Sequence, residues 1–294
     1  MKEGSDNHMD IVECPRDAMQ GIHPFIPTER KIDYINALLK VGFNTLDFGS
    51  FVSPKAIPQL RDTQEVLDNL DLDGKTTRLL SIVANVRGAE LACQNEPIDD
   101  LGFPFSLSET FQMRNTNRSM VEAFDIVKEI GELANKNDKR LVVYLSMGFG
   151  NPYNEPWNVE IVEEWAEKMV SEGVKVLSLS DTIGTSSPDS IDYLFSNLIP
   201  RFKDVTFGAH LHTTPHTWHE KVDAAWKAGC RRFDGAVKGF GGCPMAADEL
   251  VGNMPTEKLL NYAAQNKLET GVNGLAFETA YNEALKTFPS TIGI

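Results

Sequence analysis

The sequence predicts an α/β fold, a (β/α)8 TIM barrel with an additional C-terminal helix, built as a single domain over residues 1–294. Three observations carry that prediction. Eight short apolar, β-branched or glycine-led runs alternate with longer amphipathic stretches. The 294-residue length suits one barrel. No G-x-G-x-x-G follows the first run, which counts against the runner-up, a doubly wound open sheet.

The first strand is "MDIVEC" (9–14). A helical pattern follows in "TERKIDYINALLKVG" (28–42), with apolar residues three and four apart and a glycine stop. Thr28 stands where an N-cap would, with Lys31 rather than an acid at the box position, so the capping box is incomplete. The next strands are "FNTLDF" (43–48), "TTRLLSIV" (76–83), "LGFPFSL" (101–107) and "RLVVYLSM" (140–147). A second clear helix, "NVEIVEEWAEKMVSEG" (158–173), also ends in glycine. "VKVLSLSD" (174–181), "VTFGAHLH" (205–212) and "RRFDGAV" (231–237) complete the strands. The tail from about residue 267 is expected to add a helix outside the barrel.

Composition narrows the function. Hydrophobic residues make up 41% of the chain, enough for a large core. The formal net charge of −14 argues against a nucleic-acid partner, and an anionic substrate would need locally placed Arg, Lys or metal. No apolar run reaches membrane-spanning length, so no membrane partner is expected. The first residues, "MKEGSDNHMD", resemble neither a signal nor a transit peptide. Four scattered cysteines, Cys14, Cys93, Cys230 and Cys243, fit a reducing cytoplasm better than a disulfide framework. The expected location is therefore cytoplasmic.

Alternation along the seventh strand puts His210 and His212 on one face, at the C-terminal end that forms the catalytic mouth of a barrel. Two such imidazoles can hold adjacent positions of a divalent metal, or can be hydrogen-bonded polar residues of the rim. Arg16 and Asp17 lie where the first strand gives way to its loop. An Asp there can supply a hard oxygen ligand, and an Arg beside it can hold a developing oxyanion, although an isolated "RD" reads first as a surface ion pair. "GFGGCPMA" (239–246) carries Cys243 on a glycine-rich loop, where a thiol can move protons or simply fill a turn. It has no Lys-Ser/Thr continuation, so it is not a P-loop. Asn253 in "GNMPTEK" offers a carbonyl oxygen. "SDTIGTSSP" places Asp181 and Thr182 on the same rim, or ahead of a helix cap near Ser190.

"ECPRDAMQ", "LDFGSFVSPKAIPQ", "SLSDTIGTSSP", "AHLH", "GFGGCPMA" and "GNMPTE" together resemble the hydroxymethylglutaryl-coenzyme A lyases of the DRE-TIM metallolyases, from about residue 10 to residue 275. The resemblance implies a Mg²⁺ or Mn²⁺ ion held by Asp17, His210, His212 and Asn253, and an acyl-CoA thioester as partner. It implies a retro-Claisen cleavage giving acetyl-CoA and acetoacetate, in a homo-oligomer. Arg16 would stabilise the enolate, Cys243 would relay a proton, and Asp17 or His210 would act as base. Asp47 stands where the family carries Glu, and Gln20, with Asp181 and Thr182, would meet substrate. Two departures stand out. The family's "GLQNE" is here "AMQGIH", with His23 near a usual basic position. The family's "DT-aromatic-G" after the histidines is here Thr213-Thr214-Pro215-His216. They leave open a different 3-hydroxyacyl thioester or hydroxy acid as substrate. They also leave open a barrel that has lost catalysis and serves as a binding protein.

Overall fold

The computed structural model describes residues 7–241 and 251–288. Eight parallel strands form a closed barrel: β1 (Asp10–Glu13), β2 (Thr45–Ser50), β3 (Arg78–Ile82), β4 (Ile98–Ser106), β5 (Arg140–Ser146), β6 (Val176–Asp181), β7 (Thr206–Thr213) and β8 (Arg232–Gly235). Each strand pairs with the next, and β8 closes onto β1 with Val12 opposite Asp234. The expected TIM barrel is therefore the fold.

The strands are buried on both faces because helices cover the outside, which is why they read as continuous apolar runs. Leu80, Ile82, Val142, Tyr144 and Val176 form a small cluster of their own. The larger core lies between strands and helices; there Phe105 meets Trp165 with ring centroids 4.8 Å apart. The polar residues Ser178, Arg232 and Asp234 are also fully buried among the strands.

The expected helices appear as Thr28–Leu39 and Val159–Ser171, each ending short of its glycine. Thr28 is not a cap. The helix begins on it after Pro27, and its hydroxyl donates to Asp62 (2.9 Å) instead. Lys31, at the incomplete box position, turns inward and donates to the same carboxylate (2.7 Å) and to the Gln59 carbonyl. The C-terminal addition is the helix Gly274–Thr287, opened by an Asn273 side chain that accepts from the Ala276 N–H (3.1 Å). It packs on the outside of Thr28–Leu39, where Phe277 sits edge-on to Phe43 and Phe288 edge-on to Tyr34.

Beyond β8, the two-residue strand β9 (Gly252–Asn253) runs antiparallel to the end of β7 and places Asn253 opposite His212. No described helix is long and apolar enough to cross a membrane.

Candidate active site

Arg16 and Asp17 do not lie in a loop as expected. They belong to a short helix, Pro15–Gln20, that starts directly after β1, with Pro15 supplying the fixed φ of a first helical position. Gln20 comes one turn later. Its amide therefore reaches back: Nε2 donates to Asp17 (2.8 Å), and its oxygen accepts from Arg16 (2.9 Å). Arg16 also donates to Asp17 (2.9 Å) and forks onto Asp47 of β2, with bonds of 3.0 and 2.5 Å to one carboxylate oxygen. Planar pairing of this kind fixes the guanidinium at the barrel mouth.

His210 and His212 point to the same mouth from β7, their rings 5.5 Å apart. A ligand-capable atom from each of Asp17, His210 and His212 lies within 4.8 Å of the others. Metal–ligand bonds are about 2.0–2.6 Å, so one ion can touch all three. Asn253 adjoins them, its Nδ2 donating to Asp17 (2.8 Å) and to the Phe240 carbonyl (2.9 Å). Those bonds occupy the amide nitrogen and leave the amide oxygen to accept.

The electrostatics suit a cation. Burial would raise the Asp17 carboxyl, but Arg16, His210 and the Asn253 bond hold it down at about 2, so it stays anionic. Burial and the neighbouring His210 hold His212 down at about 4, which leaves it neutral at physiological pH. Its Nδ1 is buried without a hydrogen-bond partner among the described residues. A neutral imidazole offers one lone-pair nitrogen, and His212 brings a ring nitrogen within 4.8 Å of ligand-capable atoms of Asp17 and His210, where a divalent ion would meet it. The donor set fits such an ion.

Burial opposes protonation of His210, yet the bond to Asp234 and that carboxylate's charge outweigh it and raise the imidazole above its ordinary value. Asp47 is pushed up to about 6, burial prevailing over the Arg16 contacts.

At the mouth lies a cavity of about 510 Å³ whose lining includes Arg16, Asp17, Gln20, Tyr144, His210 and His212. Ser180, Thr182 and Arg114 line it as well. Thr182 accepts from the Met147 N–H (2.9 Å) and so also holds the end of β5. Asp181 points away from the cavity. Its carboxylate takes bonds from Ser186 and from Lys221 Nζ (2.8 Å), and it caps no helix; Ser187 caps Pro188–Arg201, with Ser190 completing the box. As a substrate-binding residue Asp181 is therefore not positioned to touch the acyl group. Cys243 lies outside the described residues.

Four side chains here were not singled out from sequence. Asp234 holds His210, Arg232 holds Asp234, and Tyr144 packs edge-on to the His210 ring at 5.8 Å. Lys221 ties Asp181 to the carbonyls of Gly184 and His212, 3.0 Å each. For Arg232 and Asp234 a signal existed: two charges two apart in "RRFDGAV" share one face of a strand. Lys221 left none, since a lone lysine on an amphipathic helix reads as solvated.

The barrel and its mouth are those of a family of carbon–carbon lyases. The family model described as HMGL-like matches residues 10–282, and the chain belongs to that family. The hydroxymethylglutaryl-CoA lyase YngG of Bacillus subtilis is 34% identical over 88% of this chain and 85% of its own length. The (R)-citramalyl-CoA lyase of Chloroflexus aurantiacus is 29% identical over 88% and 84%. Among solved structures, an HMG-CoA lyase from Acinetobacter baumannii in complex with coenzyme A and 3-methylmalate superposes with a TM-score of 0.88. It shares 28% identity and covers 96% of this chain and 92% of its own.

Proposed function

We propose that the protein cleaves 3-hydroxy-3-methylglutaryl-CoA to acetyl-CoA and acetoacetate. The observation that carries this reading is the convergence of Asp17, His210 and His212 beside a fixed Arg16, in a chain of the HMGL-like family. Asp17, His210, His212 and the amide oxygen of Asn253 would hold the metal, Mg²⁺ or Mn²⁺; the oxygen-containing set favours these hard ions over softer ones. Such an ion supplies Lewis acidity, making the substrate's tertiary hydroxyl easier to deprotonate.

The hydroxyl proton passes to a base in the mouth. Of the two expected candidates, His210 has neither nitrogen free if it holds the ion while its Nδ1–H is given to Asp234, whereas Asp17 keeps a second carboxylate oxygen that can take the proton. The alkoxide electrons form the ketone of acetoacetate as the C–C bond breaks, and the bond pair moves into the thioester to make an enolate. The Arg16 guanidinium, locked by Asp47, presents fixed positive charge to that enolate without reorganising. Cys243 then relays a proton to the enolate carbon, giving acetyl-CoA. Gln20 and Thr182 contact the acyl group from the cavity wall.

A second substrate is supported by the two motif departures and by a citramalyl-CoA lyase that is 29% identical to this chain, as is a mammalian hydroxymethylglutaryl-CoA lyase. The test is product release from a panel of 3-hydroxyacyl-CoA thioesters with Mg²⁺ or Mn²⁺. The highest kcat/KM on hydroxymethylglutaryl-CoA supports the proposal; cleavage of another thioester alone rejects it. Four cysteines without a CxxC support a reducing, cytoplasmic setting for a single-domain enzyme. The homo-oligomer implied by the family resemblance is open to analytical ultracentrifugation.

A further inference from the structure

His210 is held from behind by two charges in series. Its Nδ1 donates to Asp234 Oδ2 (3.1 Å), and Asp234 Oδ1 accepts from Arg232 Nη1 (2.8 Å). Both Arg232 and Asp234 are buried inside the barrel, 3% and 2% exposed. An arginine there is costly. Its Nε and Nη2 have no hydrogen-bond partner among the described residues, and a buried ion pair of this kind is weak support for stability. Space is made for it nonetheless. Gly208 lies directly opposite Arg232 in the β7–β8 register, two residues before His210 on the same strand. A Cβ at Gly208 would stand 2.7 Å from Arg232 Nη1 and 3.3 Å from Ser178 Oγ. The missing side chain on β7 is the slot the guanidinium fills, immediately beneath His210.

We propose that Arg232 is a positioning residue for the metal site. It clamps Asp234, Asp234 fixes His210 with its proton on Nδ1, and Nε2 is thereby turned to the mouth as a lone-pair donor. Tyr144, edge-on to the ring, completes the clamp. Carboxylates that bind the far nitrogen of a metal-holding imidazole orient it and strengthen it as a ligand. Here the orienting carboxylate is itself oriented, by a residue that meets neither metal nor substrate. The inference rests on the metal reading of the barrel mouth.

The test uses full-length protein stripped with a chelator. Mn²⁺ affinity is measured by electron paramagnetic resonance, and the His210 tautomer by ¹⁵N NMR of the metal-free protein, assigned with His210→Gln. Arg232→Met and Gly208→Ala are compared with wild type. The first removes the guanidinium; the second displaces it while keeping its charge. Both should weaken Mn²⁺ binding about 10-fold, the lower end for losing such a partner, and both should mix the His210 tautomers. Wild-type affinity with an unchanged Nδ1–H signature in both variants overturns the proposal. Should Arg232→Met not fold, Gly208→Ala decides. Should wild type itself bind no Mn²⁺, the metal reading fails, and the tautomer measurement still judges the clamp.

Discussion

Replacing Glu13 with glutamine should change how the stability of the barrel depends on pH. Glu13 ends β1, is fully buried, and accepts hydrogen bonds from the Val237 N–H (2.9 Å) and the Thr256 hydroxyl. Burial raises its carboxyl from 4.5 to about 8, against the pull of those two bonds and with a small push from Glu257. Below 4.5 the folded and unfolded chains both hold this proton, and the contribution to stability is complete. Between 4.5 and about 8 only the folded chain keeps it, so stability falls as pH rises, by about 1.4 kcal/mol per unit. The full loss is on the order of 5 kcal/mol and is finished once pH passes the folded value. Glutamine never ionises. Its oxygen still accepts from Val237, and its amino group can donate to the Thr256 oxygen. Glu13→Gln should thus match wild type near pH 4.5, gain on it steadily up to about pH 8, and level off above that. Urea unfolding with chelator present, repeated across that range, reads the difference directly. Parallel pH profiles for the two proteins would show that Glu13 is not held neutral, and the reasoning from burial would fail.

Other expected outcomes concern the site. Arg16→Lys keeps the charge but loses the fork onto Asp47, and should lower kcat about 10²–10³-fold with little change in KM, as steady-state kinetics would show. Near wild-type turnover would remove Arg16 from the chemistry. Cys243→Ser should fold normally yet turn over slowly, since a hydroxyl is a poor proton relay near neutral pH. Cys230→Ser is the control, because that thiol is buried and pushed up to about 12; equal kcat in the two variants would make Cys243 a passive turn residue.

The barrel was legible because each strand, covered on both faces, is a run of apolar residues bounded by turns. Strand β4 shows where that signal stops. It begins at Ile98, whereas the apolar run starts only at Leu101, since Asp99 and Asp100 interrupt the pattern. Inside the fold those acids are paired: Asp100 takes Arg78 and Arg140 from the flanking strands, and Asp99 takes Lys75. Cross-strand pairing of this sort has no local signature. The helix Pro15–Gln20 escaped notice because six residues are too few to display a helical period. His210, His212, Asp17 and Arg16 stood out because polar residues at strand ends in a barrel have a known place to go. Asp181 reads as a rim group, but Lys221, from the helix Trp218–Lys227 that follows β7, turns it into an anchor for the loop and for His212. That contact joins residues 40 positions apart, which only the folded chain brings together.

A divalent ion at Asp17, His210 and His212 should be required for cleavage. The direct measurement is acetyl-CoA formation from hydroxymethylglutaryl-CoA by chelator-stripped protein as Mn²⁺ is added back, with bound metal counted in the same samples. Wild type should be inactive when stripped and regain activity as about one ion binds per chain, while His212→Ala should bind weakly and remain inactive. Cleavage by the stripped protein at the full rate, or full occupancy with no cleavage, would contradict the account.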